Sequence, residues 1–544
     1  MLVERLKPSL ILVLALSVCA IAQLRAPLAG AAEPFSISPG STFTASGGTR
    51  RGSTAAVKTI SNDIREAQQI ILGNHFDAGE IKPETITKSA LAAMLHSLDP
   101  HSNYHDPVEW KELIDEQHSG YTGIGATIGE FDNGQGPQTY VLSAAPGSAA
   151  AKAKLKFGDR IVSIRGRNTT GLGLETVRDL LRGHQGTIVE VVVERSATGK
   201  PEALFLQRTV IRQPSIPAAF MLRDTVGYID LTEGFNYSTS EEFDRAMRNL
   251  KGQGMRSLVL DLRWNGGGIL DQAVKIAEKF LPAGTQILSQ RGRFASDTRS
   301  YYSTNAAPEM MPLVVLVNSR TASASEILAG AFQDCDRALI VGEKTYGKGL
   351  VQTVIDLPDG AGLTLTTGRY LTPSGRSIQR YFSTDDLYGY YHSEAKAEGV
   401  GNPFFEARTV TDRRVFGGDG IHPDESVKGD RLTAAQTSLL DPLFLFAVEV
   451  AGGRIKRVGA TDLVSAFGEF IVTDLRIPVS SDLISSESAF IQNRLRYYLT
   501  VASSGLNHGG RVLIDADHQV DKAIEALPRA SRLAKLAASL PTAK

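Results

Sequence analysis

Between Val226 and Val341 short aliphatic runs alternate with longer amphipathic segments, and this alternation constrains the fold more tightly than any other feature of the chain. Val226 to Leu231, Ser257 to Leu262, Leu313 to Val317 and Ala338 to Val341 read as strands. Glu241 to Leu250, Ile269 to Leu281 and Ala324 to Phe332 read as the helices between them. Strands and helices in that order imply an α/β layer architecture, with helices covering a sheet.

The texture differs on either side. From Tyr121 to Glu194 the runs are shorter and rich in glycine. Ile124 to Ile128, Thr139 to Leu142, Asp159 to Ile164 and Thr187 to Val193 read as strands around one helix, Glu175 to Leu181, which makes a strand-rich module. Upstream, Ile60, Ile64, Ala67, Ile70 and Ile71 recur at helical spacing, as do the apolar residues from Thr85 to Leu98, so Ser61 to Asp115 reads as a small helical packing element. From Leu432 to the end the pattern is mostly helical and carries no legible chemistry. At 544 residues the chain exceeds what one core holds, roughly 250 to 300 residues.

Arg5 and Lys7 precede the apolar run Leu10 to Ala22 and the small residues Ala29, Gly30 and Ala31, the layout of an export signal. The run is short for a span of about 20 residues, so cleavage and retention as an anchor both stay open. Val18 before Cys19 makes a poor lipoprotein signal. With that segment removed Cys335 stands alone, so no intrachain disulfide can form, and it reads as a small buried apolar residue. The 58 basic and 59 acidic residues leave no positive field for nucleic acid.

Three glycine- and serine-rich segments follow strands and suit chemistry. In Val317 to Ile327, Ser323 sits where a strand ends and a helix begins, near free N–H groups and the positive end of the helix dipole. Taken alone, Thr321, Ser323 and Ser325 read equally well as helix caps. The second segment, Ala338 to Gln352, places Lys348 between Gly347 and Gly349 after a strand. A lysine lowered to pKa near 7, at a cost of about 4 kcal/mol, can take a serine proton. This loop nearly matches a phosphate-binding P-loop, but Gly349 stands where the magnesium-binding hydroxyl belongs, and strand formers follow in place of a helix. The third, Asp261 to Gly268, ends in three glycines, which suit an oxyanion hole or a tight turn.

Weaker candidates are the pair His101 and His105, which Pro100 and Pro107 keep off a continuous helix and which have no evident third metal ligand. Ser393 and Lys396 form an S-x-x-K pair without the partner motifs that give it meaning. There is no G-x-S-x-G elbow.

Together these segments resemble the carboxyl-terminal processing peptidases, Ser/Lys serine endopeptidases with an inserted PDZ domain. The likeness runs from about Ile60 to Asp424. Its marks are Leu98 to Tyr104, Tyr121 to Gly125, Phe157 to Ile161, Asp261 to Gly268, Thr321 to Ile327, Gly347 to Gln352 and Gly420 to Asp424. The resemblance implies a crotonase-like or Clp-protease-like α/β core, an inserted PDZ-like β-rich domain and helical N- and C-terminal regions. The expected division is a signal peptide or anchor at 1–32, a flexible linker at 33–59, a helical region at 60–115, the PDZ-like domain at 116–200, the peptidase core at 201–425 and a helical region at 426–544.

By the same resemblance Ser323 is the nucleophile, Lys348 its base and Gln352 the residue that orients the lysine. The N–H groups of Gly267 and Ala324 form the oxyanion hole, Gly123, Ile124 and Gly125 bind a substrate's terminal carboxylate, and Arg182 senses the bound tail. No metal or other cofactor is implied. The expected partners are proteins or peptides with free C-termini, with an adaptor protein and a homo-oligomer also entertained, no nucleic acid, and membrane contact only through an uncleaved N-terminal segment. The expected location is outside the cytoplasm, in the periplasm, free or anchored to the inner membrane. Two departures stand out: Gly266 replaces the proline of many relatives, and the carboxylate loop lacks the Gly-Leu-Gly-Phe form of PDZ domains at large. A non-catalytic PDZ scaffold is the alternative, and the joint presence of Ser323, Lys348 and Gln352 argues against it.

Overall fold

The computed structural model describes residues 54–118, 120–382, 390, 406–455 and 463–539. The N-terminal region comprises α1 (Thr54–Asn74), α2 (Pro83–His96), the short strand β1 (Asn103–His105) and α3 (Pro107–Gln117). Pro83 and Pro107 open their helices, where a missing N–H has no partner to lose. Helix α1 reaches back into the stretch expected as linker. Strand β1 has no counterpart in the sequence reading, because three residues between two prolines show no period.

The inserted domain follows as β2 (Gly120–Gly123), β3 (Ala126–Asp132), β4 (Pro137–Ala144), α4 (Ala149–Lys152), β5 (Arg160–Ile164), β6 (Arg167–Asn168), α5 (Leu174–Leu181), β7 (Ile188–Glu194), β8 (Pro201–Gln207) and β9 (Thr209–Arg212). Strands β2 and β9 pair antiparallel, so the chain enters and leaves the domain through one ribbon. Inside, the sheet runs β3-β4-β5-β7-β8, with β6 beside β5. Val189, Val191 and Val193 of β7 point into the domain's core with Ile128, Val141, Ile164 and Val177, as a period of two requires. The strand expected from Ile124 starts later, at Ala126. Gly125 has φ +78, which breaks the extended backbone there.

The core then runs β10 (Ala219–Arg223), β11 (Val226–Asp230), α6 (Thr239–Gly252), β12 (Ser257–Asp261), α7 (Leu270–Glu278), β13 (Gln286–Gly292), β14 (Arg299–Tyr302), β15 (Leu313–Val317), α8 (Ala324–Asp334), β16 (Leu339–Gly342), β17 (Leu350–Asp356), β18 (Gly362–Leu371), β19 (Glu406–Arg408), β20 (Arg414–Phe416) and β21 (Glu425–Ser426). The main sheet has the order β10-β11-β12-β15-β16-β21 and is parallel from β11 onward. Both of its faces are covered. Leu258, Leu260, Val315 and Ile340 meet α6, α7 and α8 on one side, and Val259, Val314, Leu316 and Val341 face the other way. That two-sided burial explains why these strands are apolar without alternation. A second sheet runs β1-β18-β13-β14 with β17 on β18, so β1 ties the N-terminal region to the core.

The C-terminal region comprises α9 (Ala434–Ala451), α10 (Leu463–Thr473), α11 (Ser481–Ser486), α12 (Ser488–Ser504), α13 (Leu506–Ile514) and α14 (His518–Ser539). Thr433 and Gln436 form a reciprocal capping box at the start of α9. Helices α9, α10 and α12 pack on the inserted domain: Phe444 stacks on Phe131 with ring centres 3.5 Å apart, and Tyr140, Phe157 and Tyr498 surround the pair. Helix α14 lies on the second face of the main sheet through Val520, Ala523, Leu527 and Ala530. This one region therefore grips both the inserted domain and the core.

Candidate active site

Three loops leave the carboxyl ends of the parallel strands β12, β15 and β16, the edge at which open α/β sheets bind ligands. They carry Gly267, Ser323 and Lys348. Ser323 precedes α8 with φ 57 and ψ −119, a left-handed conformation that is costly for a non-glycine residue and that recurs at functional sites. Ala324 opens the helix, so its N–H is among the four that the helix leaves without an internal partner. Gly267 lies against both: a Cβ placed on it would sit 2.8 Å from Ser323 Cβ and 3.0 Å from Ala324 N. No side chain fits there. The structure thus places Ser323, Ala324 and Gly267 side by side.

A fully buried carboxylate joins the serine to the lysine loop. Glu326 Oε2 accepts from the N–H groups of Ser323 at 2.9 Å and Lys348 at 2.8 Å, and Oε1 accepts from Gly347 N at 2.7 Å and the Thr345 hydroxyl at 2.5 Å. Burial pushes its pKa up to about 7, and these four hydrogen bonds pull the other way. On its far side the lysine loop is pinned by Gln379 Oε1, which accepts from Gly349 N at 2.8 Å. The Lys348 side chain is only 1% exposed. Glu326 is absent from the expected site residues, although Ser323-x-x-Glu326 has the spacing of a helix capping box and could have been read that way.

The glycine loop is held from within. Asn265 Oδ1 accepts from Gly267 N at 2.8 Å and from the Ser325 hydroxyl at 2.6 Å, while Asn265 Nδ2 donates to Leu231 O at 2.6 Å. The Gly267 N–H, an expected oxyanion donor, is therefore directed at Asn265 in this conformation. At the base of the loop Asp261 is gripped by Arg263 and by the Tyr228 hydroxyl, and Arg263 continues to Asp517 and Gln519 of the C-terminal region.

Gln352 is buried on β17. Its Nε2 donates to the Thr366 hydroxyl at 3.2 Å, and that hydroxyl donates to Asp99 at 3.0 Å. Gly123, Ile124, Gly125 and Arg182 form a separate group in the inserted domain. Ile124 O accepts from Ala150 N at 2.9 Å and Gly125 O from Ala145 N at 2.8 Å, which fixes the loop between β2 and β3. The Arg182 guanidinium lies 4.9 Å over the Tyr121 ring beside Gly123, and its buried Nε has no hydrogen-bond partner among the described residues.

Among the described residues no group of three or more His, Cys, Asp and Glu side chains is placed to hold a metal ion. His101 Nε2 pairs with the Tyr390 hydroxyl at 2.8 Å, and His105 packs on Trp110. Cys335 is partly buried, and its surroundings push the thiol well above its ordinary range. Ser393 and Lys396 lie outside the described residues, as does the export signal.

Comparison with known proteins matches residues 225–388 to peptidase family S41 and residues 140–195 to a PDZ domain. A carboxy-terminal-processing protease of Bartonella bacilliformis is 35% identical over 309 residues, 56% of this chain and 69% of that protein. The chloroplastic C-terminal processing peptidase of Tetradesmus obliquus is 37% identical over 319 residues, 55% of this chain and 67% of that one. Among solved structures, a photosystem II D1 C-terminal processing protease is 29% identical and covers 69% of this chain and 94% of its own, with a TM-score of 0.36.

Proposed function

Because this chain belongs to the carboxy-terminal-processing proteases of peptidase family S41, serine-type peptidases with a PDZ domain, we propose that it cleaves proteins held by their C-terminal tails, with Ser323 as nucleophile and Lys348 as base. The observation that carries this reading is Glu326, whose one carboxylate binds the backbone of both residues. The Lys348 amine takes the Ser323 proton as Oγ attacks the carbonyl carbon, then gives it to the leaving amine. The acyl-enzyme forms on Ser323, and water releases it by the same proton transfers.

The oxyanion is bound by the Ala324 N–H at the positive end of α8 and by the Gly267 N–H once that peptide turns away from Asn265. Gly266, Gly267 and Gly268 leave the turn open to that rotation. We assign tail capture to residues 116–200 and cleavage to 201–425. The terminal carboxylate is bound by N–H groups of Gly123, Ile124 and Gly125, with the tail added as a strand beside β3. Arg182, whose Nε has no hydrogen-bond partner among the described residues, senses it. The N-terminal segment exports the enzyme to the periplasm.

The test compares the mature chain with Ser323→Ala and Lys348→Ala on an unstructured polypeptide whose C-terminus is free or amidated. Loss of cleavage in both variants and slower cleavage of the amidated substrate are expected. Full-rate cleavage by Lys348→Ala would show the base to be another group.

A further inference from the structure

We propose that Asp99, in the N-terminal region, is a positioning residue for cleavage: acting through Thr366, it sets which way round the Gln352 amide is held. The inference rests on the reading of Ser323, Lys348 and Gln352 above and adds to it a residue from a different part of the chain.

Asp99 is 6% exposed and collects four donors. They are the N–H groups of His101 at 2.8 Å and Ser102 at 2.9 Å, and the hydroxyls of Ser102 at 2.7 Å and Thr366 at 3.0 Å. A carboxylate only accepts, so the Thr366 proton points at Asp99 and its oxygen keeps only lone pairs for other neighbours. Gln352, 3.2 Å from that oxygen, must then donate to it through Nε2. The reversed amide would set Oε1 against Oγ1 with no proton between them, leaving two acceptors unsatisfied in a buried place. With Nε2 held in this way, Oε1 is the amide atom left to accept from the Lys348 amine. A lysine that donates one N–H to a fixed acceptor has its lone pair oriented, which is what a base acting on a serine hydroxyl needs.

The surroundings hold Thr366 to this task. Its backbone N–H donates to the Ser102 hydroxyl at 3.1 Å, and β1 pairs with β18 two residues away, Asn103 opposite Thr364. On the facing strand the register between β17 and β18 shifts between Val351 and Gln352. Such bulges redirect a side chain.

The experiment measures steady-state cleavage of an unstructured polypeptide of fixed sequence with a free C-terminus. An alanine at position 99 removes the oxygen on which the Thr366 hydroxyl and the N–H groups of His101 and Ser102 converge, and leaves the Thr366 proton free to turn to Gln352. Asp99→Ala is expected to lower kcat about tenfold, the factor that loss of one ordinary hydrogen bond gives, with KM unchanged. Thr366→Val should lower kcat as much, and Thr366→Ser should recover most of that loss. In a Gln352→Ala background Asp99→Ala should change kcat no further, because the amide it orients is gone.

An unchanged kcat in Asp99→Ala and Thr366→Val, a loss confined to KM, or a full further loss in the Gln352→Ala background would each overturn the proposal. If Asp99→Ala fails to fold, the Thr366→Val and Thr366→Ser pair decides it. Ser323→Ala and Lys348→Ala run alongside. Inactivity of both with a normal Asp99→Ala sinks this inference alone, whereas activity in either sinks the dyad beneath it.

Discussion

The serine and lysine loops and the tail-binding domain are held in place by opposite means. Around Ser323 the contacts are buried, polar and directional: one carboxylate, Glu326, receives four hydrogen bonds and links residues on two loops. The inserted domain is held to the rest of the molecule mainly by aromatic packing, with Phe131, Tyr140 and Phe157 against Phe444 and Tyr498, and polar ties such as Arg454 to Ser196 O lie beside it. A hydrogen bond fixes direction as well as distance, which proton transfer demands. Apolar contact fixes position and tolerates small rotations, because it has no preferred direction.

The largest expected effect breaks the polar side of this contrast. Glu326→Ala leaves four buried donors without an acceptor and should cost ~3–5 kcal/mol in urea unfolding, the range for removing one partner of a buried charged network. Displacement of Ser323 relative to Lys348 should also slow single-turnover cleavage about 100-fold. Cleavage within a few-fold of wild type would mean that the loops are held by something else.

Next comes the apolar side. Phe444→Ala removes a ring stacked at 3.5 Å and should weaken the grip on the inserted domain by about 3–5 kcal/mol. Amide exchange in β3 and β4 should quicken while cleavage of a short amidated peptide is preserved. Unchanged exchange would show that the β2–β9 ribbon alone holds the domain.

Smaller still is Gly125→Ala. The position has φ +78, and a Cβ there would meet Ser148 Cβ at 2.3 Å. Left-handed strain of about 1–2 kcal/mol should raise KM for a free-tailed substrate about tenfold and leave the amidated one alone. An equal effect on both substrates would place tail binding elsewhere.

The finest test is Asp441 on α9. Burial first, and then the neighbouring carboxylates Asp132 and Glu130 of β3, push its pKa up to about 7 against the pull of a hydrogen bond from the Asp132 backbone. The folded protein therefore keeps a proton that the unfolded chain releases near pH 4, so stability falls as pH rises from about 4 to 7. Asp230 and Glu326, also pushed up to about 7 by burial, add to the same slope. Asp441→Asn should flatten part of it in melting curves taken between pH 5 and 8, and an unaltered slope would rule Asp441 out as a source.

Much of this molecule is legible locally. The strands of the core read as apolar runs because both faces of the sheet are covered. Ser323 and Lys348 stand out because small residues at strand ends are needed wherever backbone must approach a reacting group. Glu326 stayed hidden among the apolar residues of α8, although its distance of three from Ser323 carries a capping signal. The C-terminal region read as helices without a role, since nothing in the periodicity of α9 or α14 says which surface their apolar faces meet.

The residues by themselves determined the α/β class, the strand-rich insertion and the chemical types at three loop ends, because periods of 2 and 3.6 and the backbone freedom of glycine are properties of short segments. Only the tertiary structure decided which buried acceptor meets which donor. Asp99 and Thr366 lie 267 residues apart, and Arg263 reaches Asp517 across 254. Pairings over such distances are set by how the layers stack, and no local pattern in the chain records them.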